Sequence, residues 1–313
     1  MRKILANDGI HPTGKKLLED AGFLVNIDHI AQDDLPSLLN EYEAIIVRSA
    51  TKVRKELIDA SPNLKLIARA GVGMDNIDVE YGRNKGLHVV NTPSASSRSV
   101  AELVFGHFIS LSRGLYKANR EMPSKGNQEF KSLKKSYSKG IELNGKTLGV
   151  IGLGRIGCET IKIGAGLGMN VIGHDPFVDS KTISTSILGQ EITLNIQSVK
   201  LNDLLSRSDF ISLHIPFLGK AIISTDEFAA MKQGVILVNA ARGGVVDEEA
   251  LLNAIDNDIV RAAGLDVFIN EPNPDQAILI NPKISLSPHI GASTMDAQEK
   301  IGVELATQII ERI

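Results

Sequence analysis

The sequence predicts an α/β protein, with parallel sheets joined by helical crossovers and divided into about two domains. Short apolar runs of strand length alternate with helix-like segments along almost all of the 313 residues. A chain of this length contains about two domains, at roughly 150 residues for each. The hydrophobic content of 43% and charged content of 23% are those of an ordinary globular chain, which excludes a disordered or fibrous protein.

Nine apolar runs have the length and the flanking residues of buried strands. They are 44–47, 64–68, 87–90, 147–151, 170–173, 210–214, 235–239, 262–267 and 284–287. Helical patterns lie between them, and a long helix is predicted over 96–119. A last helix is predicted over 293–312, where Ile301, Leu305 and Ile309 lie at helical spacing.

Local signals mark some of the helix starts and one irregular segment. Ser224 followed by Glu227 predicts a capping box, and Asp247 predicts an N-cap. The segment 123–140 is polar and basic with two glycines, so we expect a surface excursion rather than a regular element.

The composition excludes several classes of protein. A net charge of -3 argues against a dedicated nucleic-acid binder. The single cysteine, Cys158, cannot form an intrachain disulfide or a cysteine-rich metal site, so we expect a reducing compartment and no metal. The apolar run at 4–6 is too short for a signal peptide, and no stretch reaches the 18 or so apolar residues of a membrane span. We therefore expect a cytoplasmic protein that binds neither nucleic acid nor membranes.

Residues 147–157 carry a dinucleotide-binding fingerprint. They read TLGVIGLGRIG, so a predicted strand runs directly into Gly152, Gly154 and Gly157 of a GxGxxG sequence. The first glycine permits a tight turn, the second lets a pyrophosphate approach the backbone, and the third lets the next helix pack on the strand. The helix N-terminus offers N–H groups to the phosphates.

Asp175 completes the fingerprint, 18 residues beyond Gly157 and close to the roughly 20 expected for the acid that binds the ribose hydroxyls. Its charge would repel a 2′-phosphate, and no arginine follows in HDPFVDS, which favours NAD over NADP. A structural glycine-rich turn, a flavin site and an S-adenosylmethionine site are the alternative interpretations of this pattern.

Three charged residues farther along the chain, Arg242, Glu271 and His289, each follow a predicted strand. Ligands of open α/β sheets bind beyond the carboxyl ends of the strands, so these side chains are candidates for catalysis. His289 can take the hydroxyl proton of a hydroxy acid, Glu271 can orient its ring, and Arg242 can bind a carboxylate. Each of the three can also be a structural turn or loop residue. His214 is ambiguous. The remaining histidines are expected to be surface or core residues, namely His11, His29, His88, His107 and His174.

These motifs together resemble the D-isomer-specific 2-hydroxyacid dehydrogenase family. The resemblance extends over nearly the whole chain. It is carried by GLGRIG at 152–157, HDP at 174–176, NAARGGVVDE at 239–248, GLDVFINEP at 264–272 and SPHIGAST at 287–294. By position, Arg242, Glu271 and His289 match the catalytic residues of the family. The implied NAD-binding positions are Val72, Gly152, Gly154, Arg155, Ile156, Gly157, Asp175, Ile215, Ala240 and Asp266.

The resemblance also implies an architecture of two doubly wound parallel-sheet domains. A Rossmann domain that binds NAD, residues 97–289, would be inserted into a flavodoxin-like substrate domain, residues 1–96 and 290–313. Closure of the cleft between the domains would exclude water from the reaction. The family also implies a homodimer formed largely through the NAD domain.

The N-terminal half resembles the phosphoglycerate dehydrogenase subgroup, because residues 47–53, VRSATKV, match its RSxTxV motif. The implied substrate-binding positions are Arg48, Ser49, Val72, Gly73 and Ser96. An arginine fork and a hydroxyl suit a phosphate, and successive N–H groups after the strand at 64–68 suit a carboxylate. Arg48 can alternatively end a strand on a solvated loop. Ser96 stands where the family usually has asparagine, which weakens the assignment of the exact substrate.

The subgroup implies oxidation of 3-phospho-D-glycerate to 3-phosphohydroxypyruvate with NAD, the first step of serine biosynthesis. A glyoxylate/hydroxypyruvate reductase and a D-lactate dehydrogenase are alternatives with the same chemistry and an unphosphorylated substrate. A cofactor-binding regulator, like the corepressor branch of the family, is an alternative from another class. Because the chain ends at Ile313, we expect the short form of the enzyme, without the serine-binding regulatory domains.

Overall fold

A computed structural model describes residues 2–313, which form two compact units. The first unit comprises the chain up to Ser99 together with Ala292–Ile313, and the second comprises Val100–Gly291. The second unit is therefore inserted into the sequence of the first. Each unit is built on a parallel sheet with helices between successive strands, which confirms the predicted α/β class.

The first unit has a five-stranded sheet. Its strands are β1 (Arg2–Ala6), β2 (Phe23–Asn26), β3 (Ala44–Val47), β4 (Leu66–Arg69) and β5 (His88–Asn91), in the order β2-β1-β3-β4-β5. Its helices are α1 (Pro12–Asp20), α2 (Leu35–Leu38), α3 (Lys55–Asp59), α4 (Val79–Asn84) and the last helix, α13 (Met295–Ile310). This strand order is that of flavodoxin-like sheets, in which β2 is added on one side of β1 and the later strands on the other.

The last helix, α13, returns the chain to the first unit. It begins after Thr294, whose hydroxyl accepts a hydrogen bond from Ala297 N–H at 3.1 Å. Ile301, Leu305 and Ile309 are buried, as the helical spacing predicts. The helix crosses α1 closely, since a Cβ added at Gly14 would collide with the backbone of Gly302.

The second unit has a six-stranded parallel sheet and a separate hairpin. The sheet strands are β6 (Thr147–Ile151), β7 (Asn170–His174), β10 (Phe210–Leu213), β11 (Val235–Asn239), β12 (Val260–Leu265) and β13 (Ile284–Leu286), in the order β13-β12-β11-β10-β6-β7. The hairpin pairs β8 (Ser180–Ile187) with β9 (Gln190–Gln197). The helices are α5 (Ser97–Arg113), which begins at the boundary between the units, α6 (Leu115–Lys125), α7 (Phe130–Ser136), α8 (Arg155–Gly166), α9 (Leu201–Arg207), α10 (Thr225–Ala229), α11 (Glu248–Asp256) and α12 (Gln276–Ile280).

Most of the predicted elements are present. All nine predicted strands form, with ends that differ by at most two residues. The capping box is confirmed, because Ser224 N–H donates to the Glu227 carboxylate at 3.0 Å and the N3 backbone donates to the Ser224 side chain. The predicted N-cap is confirmed as well, since Asp247 accepts from Ala250 N–H at 3.0 Å. None of the helices within residues 2–313 is long and apolar enough to cross a membrane.

The prediction of one helix over 96–119 is wrong. The chain forms α5 and α6 instead, separated by Gly114 with a φ of 66°. This left-handed conformation ends an α-helix, and glycine adopts it without steric cost. The expectation of an irregular segment over 123–140 is also wrong in part, because it contains the end of α6 and all of α7. The apolar pattern there is sparse, with Leu133 the one buried residue of α7.

The hairpin of β8 and β9 was not predicted. Its two-residue loop, Leu188 and Gly189, has φ angles of 51° and 79°, which suit the tight turn of a hairpin. Most of its side chains are polar or exposed, and Ile183 is a buried hydrophobic residue of β8. The strands therefore lack the apolar content that marks the strands of the two large sheets.

Candidate active site

The glycine loop after β6 has the shape that a bound pyrophosphate requires. Gly152 has a φ of 97°, and a Cβ there would lie 2.5 Å from the carbonyl of His214. A Cβ at Gly157 would collide with the carbonyl of Gly152, so the start of α8 packs directly on the loop. Gly154 is the exposed N-cap residue of α8. Open space surrounds it, and without a side chain it cannot cap the N–H groups of the first helical turn. The N–H groups of the first helical turn are thus accessible to an anion, and the loop fits the dinucleotide that the sequence predicts.

Asp175 lies beside this loop, at the end of β7. One carboxylate oxygen accepts from Leu153 N–H at 2.9 Å, and the other accepts from Phe177 N–H at 3.0 Å. The Ser198 hydroxyl accepts from Asp175 N–H at 2.9 Å. A carboxylate has about four acceptor sites, so two remain for ribose hydroxyls. The backbone therefore holds Asp175 in a fixed position that fits the predicted role.

The other predicted NAD positions of the second unit also follow its strands. Arg155 is exposed and Ile156 half-buried at the start of α8, Ile215 is half-buried after β10, and Ala240 is buried after β11. Together with Asp175 and the glycine loop, they lie at the carboxyl ends of β7, β6, β10 and β11. The strands that follow β6 are added on one side of it (β7) and then on the other (β10 onwards), so the topological switch point lies between β6 and β10. Ligands of doubly wound sheets bind at such a point. Val72 belongs to the first unit.

His289 and Glu271 form a hydrogen-bonded pair. The Nδ1 atom of His289 lies 2.7 Å from Oε2 of Glu271, while Oε1 of Glu271 accepts from Phe268 N–H at 2.9 Å. An ionised carboxylate can only accept, so Nδ1 carries the proton and Nε2 is left to take one. The His289 side chain is 50% exposed, which leaves Nε2 accessible to a substrate. This is the arrangement of a general base with an orienting carboxylate.

Arg242 lies on the loop that follows β11. The side chain of Asn239 shapes this loop, because it accepts from Ala241 N–H at 3.0 Å and donates to the carbonyl of Arg242 at 2.9 Å. The next residue, Gly243, packs against the backbone of Phe268, since a Cβ there would collide with the Phe268 carbonyl. The loop that carries Arg242 therefore contacts the segment that leads to Glu271.

Asp266, after β12, organises the backbone around His289. One carboxylate oxygen accepts from the Ser287 hydroxyl at 2.6 Å and from Ile290 N–H at 2.9 Å, and the other accepts from Gly291 N–H at 2.9 Å. Its own carbonyl accepts from His289 N–H at 2.8 Å. The residue is 1% exposed. The structure thus shows that Asp266 holds the segment 287–291, while the predicted contact with NAD stays a prediction.

His107, expected to be a surface or core residue, lies in the core and makes a contact in this region that sequence analysis did not predict. It is buried in α5, and its Nε2 atom lies 3.0 Å from the Ser287 hydroxyl that donates to Asp266. The sequence offers no signal for this contact, since α5 is far from β12 and β13 along the chain.

His214 is half-buried between α8 and β10. Its Nε2 atom lies 3.0 Å from the Thr160 hydroxyl and 2.9 Å from the Ser212 hydroxyl. Its Nδ1 atom has no hydrogen-bond partner within residues 2–313. Burial lowers the pKa of His214 to about 3. The ambiguous histidine of the sequence is thus held in its uncharged form by the fold.

This burial predicts how stability depends on pH. Between about pH 6.5 and its folded pKa of about 3, His214 binds a proton in the unfolded chain but stays neutral in the folded one, so the free energy of unfolding falls as the pH falls through this range. Between pH 7 and pH 5 this residue alone accounts for a loss of about 2 kcal/mol. Urea unfolding at the two pH values is expected to show that loss in the wild type and a loss smaller by that amount in His214→Asn.

A matched control for this measurement is His88→Gln, which replaces an exposed histidine. It should keep the pH dependence of the wild type. Equal losses of unfolding free energy in wild type and His214→Asn would contradict the assignment of His214 as a residue that stays neutral in the folded chain.

In the first unit, Arg48 and Ser49 follow β3. The N–H of Arg48 donates to the Asp8 carboxylate at 2.6 Å, and its carbonyl accepts from the side chain of Asn76 at 2.8 Å. The same Asn76 amide donates to the carbonyl of Thr51 at 2.6 Å. Asp8 and Asn76, which sequence analysis did not single out as site residues, therefore fix the backbone of the predicted phosphate loop. The Arg48 guanidinium makes no ion pair with residues 2–313.

The loop after β4 lies beside this one, because Asn76 belongs to it. The carbonyl of Val72 accepts from the side chain of Asn91 at 2.6 Å, whereas the N–H groups of Val72 and Gly73 bond to nothing in the described chain. Ser96, farther along after β5, is buried, and its hydroxyl likewise has no partner there. These unsatisfied groups are consistent with the predicted carboxylate nest.

Known proteins share this fold and these motifs. The family model of the NAD-binding domain of D-isomer-specific 2-hydroxyacid dehydrogenases matches residues 105–291. D-3-Phosphoglycerate dehydrogenase of Methanocaldococcus jannaschii is 42% identical over 311 residues, which cover 99% of this chain and 57% of that protein. Hydroxypyruvate reductase of Thermotoga maritima is 41% identical over 317 residues, which cover 99% of this chain and 98% of that protein.

A solved structure agrees with these sequence matches. The NAD⁺-bound 3-phosphoglycerate dehydrogenase of Entamoeba histolytica superposes with a TM-score of 0.77 at 28% identity, covering 99% of this chain and 94% of that one. The chain spans a little over half of the Methanocaldococcus relative. The resemblance seen in the motifs is confirmed, and NAD is the cofactor of the matched domain. With its glycine loop, its placed Asp175 and its His289–Glu271 pair, the chain belongs to the D-isomer-specific 2-hydroxyacid dehydrogenase family.

Proposed function

We propose that this protein oxidises 3-phospho-D-glycerate to 3-phosphohydroxypyruvate with NAD, the first step of serine biosynthesis. The observation that carries the dehydrogenase chemistry is the His289–Glu271 pair, which lies in the same unit as a loop fitted to a dinucleotide. The observation that favours a phosphorylated substrate is Arg48, a half-buried arginine on a braced loop whose guanidinium has no acidic partner in residues 2–313.

The residues of the second unit have distinct tasks in this reaction. Bound NAD supplies the acceptor for the hydride that leaves C2 of the substrate. Nε2 of His289 takes the proton of the C2 hydroxyl, and Glu271 stabilises the imidazolium that results. Arg242 binds the substrate carboxylate and the developing carbonyl oxygen through its planar guanidinium. In the reverse direction His289 returns the proton.

The first unit would select the substrate. Arg48 and Ser49 would bind its phosphate with a guanidinium fork and a hydroxyl, a charge-assisted arrangement. The N–H groups of Val72 and Gly73 would bind its carboxylate, as a backbone nest does. Ser96 would contact the substrate where other family members use asparagine.

The second candidate is a hydroxypyruvate or glyoxylate reductase. It is favoured by the Thermotoga maritima relative, which is named a hydroxypyruvate reductase and matches this chain over 98% of its own length. An unphosphorylated acid has no group for Arg48 and Ser49 to bind, so the two candidates differ in what those residues do.

A substrate panel with the purified wild type separates the candidates. NADH oxidation is followed with 3-phosphohydroxypyruvate, hydroxypyruvate, glyoxylate and pyruvate as alternative substrates. We expect kcat/KM to be highest for the phosphorylated acid, because each charge-assisted hydrogen bond is worth about 1.5–3 kcal/mol. A higher kcat/KM for hydroxypyruvate or glyoxylate would establish the second candidate instead.

We also propose that the protein acts as a cytoplasmic homodimer. The family resemblance supports the dimer, and the single cysteine supports a reducing compartment.

A further inference from the structure

His107 projects from α5 onto the strands that lead to the active site. The side chain is 5% exposed and packs on Gly264, where an added Cβ would lie 2.8 Å from the His107 Cβ. Its Nδ1 atom lies 3.0 Å from the Ser285 hydroxyl, and its Nε2 atom lies 3.0 Å from the Ser287 hydroxyl. Both ring nitrogens of a buried histidine are therefore engaged with side chains of β13 and of the residue just beyond it.

The direction of these hydrogen bonds follows from the chemistry of the groups. The Asp266 carboxylate accepts from the Ser287 hydroxyl at 2.6 Å, so that hydroxyl has used its only proton. The Ser287 oxygen must then accept from His107, which places a proton on Nε2. The neutral ring has no proton on Nδ1, and Nδ1 accepts from the Ser285 hydroxyl. Hydrogen bonds thus run in one direction from Ser285 to Asp266.

The surroundings of the ring support a neutral form. Burial lowers the pKa of His107, and the negative charge of Asp266 opposes this effect without overcoming it. A charged ring would also carry a proton on Nδ1, which the Ser285 hydroxyl could accept only by giving up its donation.

The chain of hydrogen bonds ends at the residue that holds the catalytic segment. The Asp266 carboxylate also accepts from the N–H groups of Ile290 and Gly291, and its carbonyl accepts from the N–H of His289. The His289 backbone has a φ of 53°, a conformation that non-glycine residues adopt rarely and that needs support from its surroundings. Loss of the Ser287 bond would leave the Asp266 carboxylate free to shift, and the segment 287–291 would shift with it.

We propose that His107 is a positioning residue for the reaction, acting through the Ser287 hydroxyl and Asp266 to fix the backbone that carries His289. The proposal rests on the role of His289 as the base in the proposed function. An apolar side chain would fill the same space, so packing alone does not require a histidine that donates from one nitrogen and accepts at the other.

A double-mutant cycle tests this proposal. His107→Leu and Ser287→Ala are each expected to lower kcat about tenfold, with KM for NADH changed less than about threefold, because small displacements of a catalytic group are costly. If His107 acts through Ser287, the double variant should lose no more than either single variant. Additive losses, or kcat within about twofold of wild type in both single variants, would overturn the proposal.

Further variants separate positioning from folding. His107→Gln keeps an N–H donor near the Nε2 position and is expected to recover kcat to within about threefold of wild type. If His107→Leu does not fold, Ser287→Ala and His107→Gln still test the proposal. An equal loss of kcat in both variants would contradict a hydrogen bond donated from Nε2 of His107 to Ser287. His289→Asn serves as the reference, because full activity of this variant would refute the proposed function. If His289→Asn loses activity while Ser287→Ala keeps the wild-type kcat, only the role of His107 is refuted.

Nitrogen-15 NMR of the histidine rings gives a readout that packing does not affect. The His107 signals, identified by their absence in His107→Gln, should show a proton on Nε2 and none on Nδ1 from about pH 6 to pH 8. A ring protonated on Nδ1 would overturn the assigned direction.

Discussion

His289→Asn is expected to lower kcat by about 10²- to 10⁴-fold, the usual contribution of a positioned general base. The substitution removes Nε2, the atom that takes the hydroxyl proton. The asparagine amide can still donate to Glu271 near the Nδ1 position, which is 2.7 Å from the carboxylate in the wild type. The loss is therefore due to the missing base rather than to a broken pair. Steady-state kinetics with NADH and 3-phosphohydroxypyruvate measures it.

The controls for this experiment are the binding of NADH and the thermal unfolding temperature. Both should stay close to wild type, because the His289 side chain is half exposed and the glycine loop is untouched. A variant that keeps more than a tenth of the wild-type kcat would contradict the assignment of His289 as the base.

Sequence analysis located nine of the thirteen strands that residues 2–313 form, and the glycine loop, because these depend on local signals. The strand β3 is buried along its whole length, so its apolar run is continuous. Gly152 and Gly157 are required by backbone contacts within the β6–α8 turn and with the strand end beside it, at His214. Glu271 and His289 could be named because each follows a strand of a parallel sheet, whose carboxyl ends share one edge.

Other features depend on contacts between distant parts of the chain, which a local pattern does not encode. The break at Gly114 was missed because a glycine within an apolar pattern can also continue a helix. The role of Asp266 in holding the segment 287–291, and its link to His107, appear only once α5 packs on β12 and β13. Asn76, which connects two loops through its side-chain amide, could not be recognised from the sequence for the same reason.

Arg48→Ala is expected to lower kcat/KM for 3-phosphohydroxypyruvate by about 10- to 100-fold, mainly through KM. The range corresponds to the loss of one hydrogen bond to a charged group, about 1.5–3 kcal/mol. The same variant should change kcat/KM for hydroxypyruvate by less than about threefold, because that acid has no phosphate. The backbone of the loop should persist, since Asp8 and Asn76 hold it through the main chain of Arg48.

Lys52→Ala is the matched control, because it removes an exposed cation from the same loop without touching Arg48. Lys52→Ala should leave kcat/KM for both substrates near the wild-type values. This result would separate a specific phosphate contact from a general loss of positive charge.

The ratio of kcat/KM for 3-phosphohydroxypyruvate to that for hydroxypyruvate, measured in wild type, Arg48→Ala and Lys52→Ala, tests the central claim most directly. A phosphate-selective dehydrogenase predicts a ratio well above one in the wild type and in Lys52→Ala, and a fall of about 10- to 100-fold in Arg48→Ala. A ratio below one in the wild type, or an equal loss for both acids in Arg48→Ala, would contradict it.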